Sequence, residues 1–284
     1  MARDLYQEVT DRIIFDMESG SLPWEKSWDG SKRVSLTIPR NATTNRPYRG
    51  INILMLWGLH ADPRYCTYKQ ARDAGGSVKK GEHGYSIVFY TPLNIKDKQT
   101  GEEKKIPLLK NYTVFHISQT EGCSFPTPNT DDPIIPEDTA ELIEALKINL
   151  TNGGDQPCYI PSLDQLRMPY SQDFKCTDNY RATLYHEIGH WTGHKTRLDR
   201  NMRNSFGSQQ YAREELVAEL CGAFMCAEFN IPYQTQHASY LASWLSVLKE
   251  DKRAILQAAS AAQKAVDYIR SQILGAETTE EEAA

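Results

Sequence analysis

The chain has 284 residues, of which 40% are apolar and 24% charged, so it can bury a sizeable core and global disorder is excluded. No apolar run approaches the roughly 18 residues that span a bilayer, and six cysteines are few for a secreted disulfide scaffold. The N-terminus also lacks an apolar signal core. We therefore expect a cytoplasmic protein with reduced thiols and no membrane partner.

The net charge of −5 is unevenly distributed along the chain. Residues 1–118, here called the front half, hold 18 Lys and Arg against 13 Asp and Glu. Residues 119–284, the rear half, hold 14 against 24. A basic front half joined to an acidic rear half indicates two domains with different partners.

The front half is predicted to be a small domain of mixed helix and strand. Apolar residues near helical spacing predict a first helix over residues 4–15. The elements that follow are predicted in the order helix 50–59, helix 67–74, strand 85–90, charged hairpin loop 96–105 and strand 112–117.

The rear half is predicted to be mainly helical with a short β segment near Pro157–Pro169. A proline-rich, acidic segment over 119–137 is the predicted linker. The predicted helices are 139–149, 178–192, 211–229, 238–250 and 252–274. The fold class is therefore α+β with two domains over 1–118 and 138–275, followed by an acidic disordered tail over 276–284.

The strongest local signal is the segment His186-Glu187-Ile188-Gly189-His190. In a helix, positions i and i+4 share a face, so the imidazoles of His186 and His190 can converge on one metal ion. Glu187 would lie beside the water that the ion activates and accept its proton. The alternative is a surface helix whose histidines bind nothing. Helical spacing of apolar residues on the opposite face favours the metal site.

A catalytic zinc ion takes three protein ligands, so one more is needed. Glu215 and Glu219 lie one turn apart on the next predicted helix, which suits one ligand and one acceptor behind a ligand imidazole. We predict Glu215 as the ligand and Glu219 as the acceptor, with the reverse order as the alternative. His194 and His237 are weaker rivals for the third position.

Hydrolysis at such a site also needs a hydrogen-bond donor for the transition state. Tyr211, His237 and Tyr240 are all possible donors, and the residue pattern does not choose among them. The Pro157–Pro169 segment is a possible edge strand that would align an extended peptide. Zinc is the default ion for two histidines and one glutamate, with manganese or another divalent ion as the alternative.

Basic and aromatic residues alternate between positions 40 and 90, a pattern that can hold single-stranded nucleic acid by stacking and charge. The alternative is a solvated basic face over a core in which Trp57 is simply buried, and composition alone favours that alternative. The predicted DNA-binding residues are Arg46, Tyr48, Arg49, Trp57, Tyr68, Lys69, Lys79 and Lys80.

Several motifs, in this order, resemble ArdC-type antirestriction proteins. In the front half they are NRPYRGIN over 45–52, TYKQA over 67–71 and VKKGE over 78–82. In the rear half they are HEIGHWTGH over 186–194, RLDR over 197–200 and YAREELVAE over 211–219, with further likeness over 238–244 and 251–253. The resemblance implies an N-terminal domain that binds single-stranded DNA and a C-terminal zincin-like metallopeptidase domain.

The resemblance also implies a role in protecting the incoming DNA of a mobile element from restriction. Three hypotheses compete. The first is a DNA-tethered metallopeptidase that cleaves a host protein such as a restriction component. The second is a DNA-binding shield with a structural metal site, and the third is a protease for DNA–protein crosslinks. A nuclease is disfavoured because the sequence shows no carboxylate cluster of the two-metal type.

Overall fold

The computed structural model describes residues 4–20, 22–24, 37–96, 103–127, 135–202, 207–231, 233 and 240–281, with the side chains of 92–96, 103–107 and 276–281 left out. Its elements in the front half are α1 (Leu5–Glu18), β1 (Arg40–Asn41), α2 (Ile51–Leu56), β2 (Arg64–Thr67), α3 (Tyr68–Asp73), β3 (Ser77–Val78), β4 (Tyr85–Lys96) and β5 (Glu103–His116). The rear half contains β6 (Thr120–Glu121), α4 (Thr139–Ala145), β7 (Asn149–Asn152), β8 (Cys158–Ile160), β9 (Gln165–Met168), α5 (Thr177–Thr192), α6 (Gln209–Glu228), α7 (Leu241–Glu250) and α8 (Ala254–Glu281).

The front half is built on a four-stranded sheet in the order β1-β2-β5-β4. The long hairpin β4–β5 dominates it, and β5 also pairs antiparallel with β2. The short helix α3 is well capped, because Thr67 and Gln70 form a capping box at its start.

The rear half packs around α6, which is buried on nearly all sides from Glu214 to Ala227. A helix buried all round normally carries apolar residues. The glutamates of α6 are therefore informative, because buried carboxylates are costly unless they are partnered. Beside the helices lies a small sheet in the order β7-β9-β8, in which β8 is an edge strand.

The two halves share one apolar core. Val9, Ile13 and Met17 form the buried stripe of α1 and belong to the same cluster as Trp244 and Val247 of α7. The α1 helix is tied to the rear half through the Thr10 hydroxyl, which donates to the Lys252 carbonyl at 2.8 Å. The N-terminal helix of the chain thus packs on the rear half.

The α+β class and the two-part layout are confirmed. The helix predicted over 139–149 ends at Ala145, because Lys147 has a positive φ of 53° and β7 begins at Asn149. The domain boundaries stay predictions. Within the predicted linker, β6 pairs with β3 of the front half.

The last helix, predicted over 252–274, runs as α8 from Ala254 to Glu281. Alanine and glutamate, which favour helix, are common in this stretch. Among the helices in the described part of the chain, none has both the length and the apolar character that crossing a bilayer requires.

Candidate metal centre

The centre lies where α5 and α6 approach each other closely. A Cβ on Gly189 of α5 would lie 3.0 Å from the Ala218 Cα of α6. A Cβ on Gly222 of α6 would lie 3.1 Å from the backbone nitrogen of His186. Two glycines, one on each helix, therefore remove the bulk that would hold the helices apart. Their close approach brings histidines from α5 to glutamates from α6.

The structure brings together the donor atoms of His186, His190 and Glu215, which all lie within 4.8 Å of one another. The Nε2 atoms of His186 and His190 lie 3.6 and 3.5 Å from the two carboxylate oxygens of Glu215. Ligand atoms of a tetrahedral ion with bonds of about 2.1 Å lie roughly 3.4 Å apart. The donor set and its spacing therefore fit a divalent metal ion with two imidazoles and one carboxylate.

The other nitrogen of each imidazole faces a different glutamate. His186 Nδ1 lies 3.4 Å from Glu219, and His190 Nδ1 lies 3.2 Å from Glu214. This second contact fixes the tautomer and ring orientation of a ligand histidine. Since Glu219 sits behind His186 and Glu215 faces both Nε2 atoms, the geometry favours Glu215 over Glu219 as third ligand.

Glu214 is held in turn by Arg200. The guanidinium donates to both carboxylate oxygens, at 2.8 and 3.0 Å, and also to the Gly189 carbonyl and the Thr192 hydroxyl. Arg200 thereby locks the carboxylate of Glu214 against the C-terminal end of α5.

Glu219 is fully buried and receives a hydrogen bond from the front half. The indole nitrogen of Trp24 donates to Glu219 Oε1 at 3.3 Å, and the Trp24 ring packs edge-on against Trp244 of α7. The orientation of His186 therefore depends on a residue that lies far away in the sequence.

The carboxylates set the charge of the two imidazoles. Burial lowers the pKa of each histidine, but hydrogen bonds outweigh burial and raise the pKa of His186 to about 10 and of His190 to about 9. The partners are Glu215 and Glu219 for His186 and Glu214 and Glu215 for His190. A metal ion competes with protons for these nitrogens, so its binding releases protons.

A cleft of about 250 Å³ opens beside the three candidate ligands. Glu187 lines the cleft although its side chain is buried. On another wall the hydroxyls of Tyr211 and Tyr240 lie 3.1 Å apart. Burial, together with hydrogen bonds to Tyr240 and Glu215, raises the pKa of Tyr211, which keeps its hydroxyl protonated at neutral pH.

The edge strand β8 forms a third wall through Cys158 and Tyr159. Its position is fixed by an ion pair in the β8–β9 turn: Arg197, which follows α5, donates to Asp164, and Asp164 accepts from the Tyr159 hydroxyl at 2.8 Å. The same guanidinium lies 4.0 Å from the centre of the Trp191 ring. The strand is therefore anchored to the helix that carries the histidines.

Of the two rival ligands, His194 lies within the described residues. α5 ends at Thr192, so His194 lies beyond the helix, with its Nδ1 2.8 Å from the Thr196 hydroxyl. His237, a weaker candidate for ligand or donor, lies outside the described residues.

In the front half, six of the eight predicted DNA-binding residues are exposed, namely Arg46, Arg49, Tyr68, Lys69, Lys79 and Lys80. The other two correct the prediction. Tyr48 is 7% exposed and packs in the core of the sheet, and Trp57 is 9% exposed and packs against Phe224 of α6. Buried rings cannot stack on bases. In addition, Arg49 is ion-paired with Asp267 of α8.

Three residues of the centre were missed by sequence reasoning: Glu214, Arg200 and Trp24. The sequence offered a signal for Glu214, because a third glutamate in a buried helix needs a partner. Arg200 and Trp24 had none, since their roles depend on how a loop and the N-terminal segment fold back.

Each half of the chain matches the model of a known protein domain. The model of the N-terminal domain of anti-restriction factor ArdC matches residues 3–115, and that of a zincin-like metallopeptidase domain matches residues 137–261. The metal-free crystal structure of the antirestriction ArdC protein from plasmid R388 superimposes with a TM-score of 0.82 at 39% identity, over 96% of this chain and 99% of that one. The chain belongs to the ArdC antirestriction family.

Further proteins are similar to this ArdC-family chain over most of its length. Protein y4eC of Sinorhizobium fredii is 37% identical over 98% of this chain and 95% of its own length. A DNA primase TraC of Escherichia coli is 35% identical over 94% of the chain, which spans only 27% of that protein. The Mn(II)-bound R388 structure matches with a TM-score of 0.78, at 38% identity over 95% of this chain and 98% of that one. With the zincin-like domain, it indicates a divalent metal at this centre.

Proposed function

We propose that this chain binds single-stranded DNA through its front half and hydrolyses a peptide bond of a host protein, such as a restriction component, at its metal centre. Both activities would serve the protection of incoming DNA from restriction. The observation that carries the hydrolytic part is the presence of Glu187 and of three candidate ligands in one open cleft.

His186, His190 and Glu215 are the residues that would hold the ion. Zinc suits this donor set, and manganese is the alternative that the Mn(II)-bound relative supports. When bound, a divalent ion polarises a carbonyl group and lowers the pKa of water. Glu219 and Glu214 would keep the two imidazoles oriented.

The chain's own residues supply the proton transfers. Glu187 accepts a proton from the attacking water and delivers it to the nitrogen of the leaving amine. The hydroxyl of Tyr211 or Tyr240 donates a hydrogen bond to the oxygen that becomes negative. The edge strand β8 aligns an extended substrate through backbone hydrogen bonds.

A catalytic role is favoured over a structural one by the number of ligands. Structural zinc sites are closed by four protein ligands, whereas catalytic sites keep one position open. In the described part of the chain, three residues form the candidate set, and they border the cleft.

DNA binding is supported by exposed basic residues near α3 and β3. Lys69 extends from α3, and Lys79 and Lys80 follow β3, all of them exposed. Lysine side chains neutralise phosphates and thereby release counterions. Homology to a DNA primase also links this type of chain to a protein that works on DNA.

The decisive experiment compares wild type with Glu187→Gln in a restriction-protection assay in cells, with metal content and single-stranded DNA affinity measured on the same purified proteins. Glu141→Gln, the same change at an exposed position of α4, is the matched control. We expect Glu187→Gln to lose protection while it retains metal and DNA. Full protection by Glu187→Gln would refute the peptidase role and favour a DNA-binding shield with a structural metal site.

A second set of variants tests the DNA-binding part separately. Charge reversal at Lys69, Lys79 and Lys80 should abolish binding to single-stranded DNA and leave metal content unchanged. Unchanged DNA affinity in this triple variant would show that Lys69, Lys79 and Lys80 are not part of the binding surface.

A further inference from the structure

The hairpin β4–β5 carries an exposed aromatic pair outside the predicted DNA-binding residues. Phe89 of β4 and Tyr112 of β5 are 46% and 45% exposed. Their ring centroids lie 5.7 Å apart, with an angle of 74° between the ring planes. The two rings therefore contact each other, while much of their surface is exposed to solvent.

The strand register places these rings on one face of the hairpin. Phe89 is paired with Lys110, and Ile87 is paired with Tyr112. Residues that face each other across two antiparallel strands share a face, as do residues two apart on one strand. Phe89, Tyr112 and the exposed Lys110 therefore form one surface, here called the hairpin platform.

The same face changes character along the hairpin. Ile87 and Val114 are buried there, in a cluster with Tyr48, Leu56 and Tyr65. Farther along, Phe89 and Leu108 are exposed. An exposed apolar surface beside a positive charge is characteristic of an interaction site rather than a core.

We propose that the hairpin platform stacks bases of single-stranded DNA, with Lys110 against the phosphate backbone. The inference rests on the proposed DNA binding of the front half and specifies which aromatic residues take part. Aromatic rings on a sheet surface stack on bases of any sequence, and nearby cations follow the backbone.

Charge favours nucleic acid over a protein partner as the occupant. Between residues 85 and 116 the chain has five lysines and three acidic residues, so the hairpin is net positive. The platform also adds accessible rings to Tyr68 of the earlier prediction, because Tyr48 and Trp57 are buried whereas Phe89 and Tyr112 are exposed.

The test measures binding of the full-length, metal-loaded chain to a fluorescently labelled oligothymidine at several salt concentrations. Phe89→Ala and Tyr112→Ala should each weaken binding roughly tenfold without changing its salt dependence. Lys110→Ala should instead reduce the slope of log K against log salt by about 0.7. Phe89→Trp should bind at least as tightly as wild type.

Matched controls remove exposed rings from other surfaces. Phe15→Ala on α1 and Tyr170→Ala in the rear half remove rings that are 71% and 52% exposed, and both should bind like wild type. A photocrosslink from 5-iodouracil in the oligonucleotide should map to the peptide that contains Phe89 or Tyr112.

Wild-type affinity in both aromatic variants, beside lost affinity in the charge-reversed Lys69, Lys79 and Lys80 variant, would overturn the platform and leave DNA binding intact. A wild-type chain that does not bind the oligonucleotide at all would overturn both the proposed DNA binding and the platform.

Discussion

Trp24 in the front half and Glu219 in the rear half are joined by a buried hydrogen bond of 3.3 Å. Their side chains are 2% and 0% exposed. Because Glu219 also contacts His186 Nδ1, the indole helps to position a candidate metal ligand. The N-terminal segment thus completes a centre whose other parts all come from the rear half.

Replacing Trp24 with phenylalanine keeps a ring in the core and removes the donor. We expect Trp24→Phe to weaken Mn²⁺ binding about tenfold, which is the usual effect of losing a partner behind a ligand. Isothermal titration calorimetry measures the affinity. Trp57→Phe, another buried tryptophan of the front half, controls for lost ring volume and should bind normally. Equal affinities in the two variants would contradict the positioning role of Trp24.

Glu214 should contribute as much to metal affinity as Glu219 does, although Glu214 is not a candidate ligand. Glu214→Gln removes the negative charge that lies between His190 Nδ1 and Arg200, and we expect Mn²⁺ affinity to fall about 10- to 100-fold. The matched control is Glu228→Gln, at the end of the same helix α6, which breaks an ion pair with Arg270 of α8 away from the centre. If Glu228→Gln lowers affinity to the same extent, the effect is one of helix stability and not of ligand orientation.

The glycine contact between α5 and α6 predicts opposite effects for two similar substitutions. Gly189→Ala places a methyl group 3.0 Å from the Ala218 Cα, and overpacking of this kind costs about 1–3 kcal/mol, more than the gain in helix propensity of up to about 1 kcal/mol. Gly275→Ala meets no atom within 4 Å, so it should stabilise α8. Urea unfolding of both variants measures the change in the free energy of unfolding, which should have opposite signs. A more stable Gly189→Ala would show that the helices can separate without cost.

Two stacked histidines in the front half predict loss of stability in mild acid. The rings of His60 and His116 are parallel, with centroids 3.8 Å apart. Burial lowers the pKa of both, and the neighbouring His60 lowers that of His116 further. The unfolded chain therefore binds more protons, so this contribution is present above about pH 6.5 and is lost as the pH falls through the lowered values.

Urea unfolding between pH 7.5 and 5 tests this dependence. As the pH falls over this range, His116→Gln should lose less free energy of unfolding than the wild type does. His83→Gln, which changes an exposed histidine, should follow the wild type. Parallel pH profiles for all three proteins would exclude the stacked pair as the cause.

The clustering of the candidate ligands was largely predictable, because it follows from local spacing along two helices. His186 and His190 are four residues apart on one helix, and the predicted helix over 178–192 agrees with Thr177–Thr192. Glu215 and Glu219 are likewise four residues apart on one helix, so the sequence also predicts that they share a face. Which of them faces the imidazoles is a matter of helix rotation and approach, and periodicity alone left Glu215 and Glu219 as alternatives.

Which of the predicted DNA-binding residues are exposed was harder to predict, because the distinction between stacking and packing depends on tertiary contacts. Tyr48 and Trp57 lie in a basic stretch of the sequence, yet Trp57 is covered by Phe224 of the rear half. Phe89 and Tyr112 lie in strands that read simply as β structure. Strand pairing places both rings on one face of the hairpin, and tertiary packing leaves them exposed beside the buried Ile87.

The position of α1 affects how the family's two modules can be separated. The model for the zincin-like domain begins at residue 137, but α1 covers an apolar surface of α7 and Trp24 contacts Glu219. A fragment cut at that boundary would expose this surface to water and lose a donor behind His186. Recombination between relatives at the boundary would therefore need compatible partners on both sides, so the segment with α1 and Trp24 is expected to be inherited together with the zincin-like module.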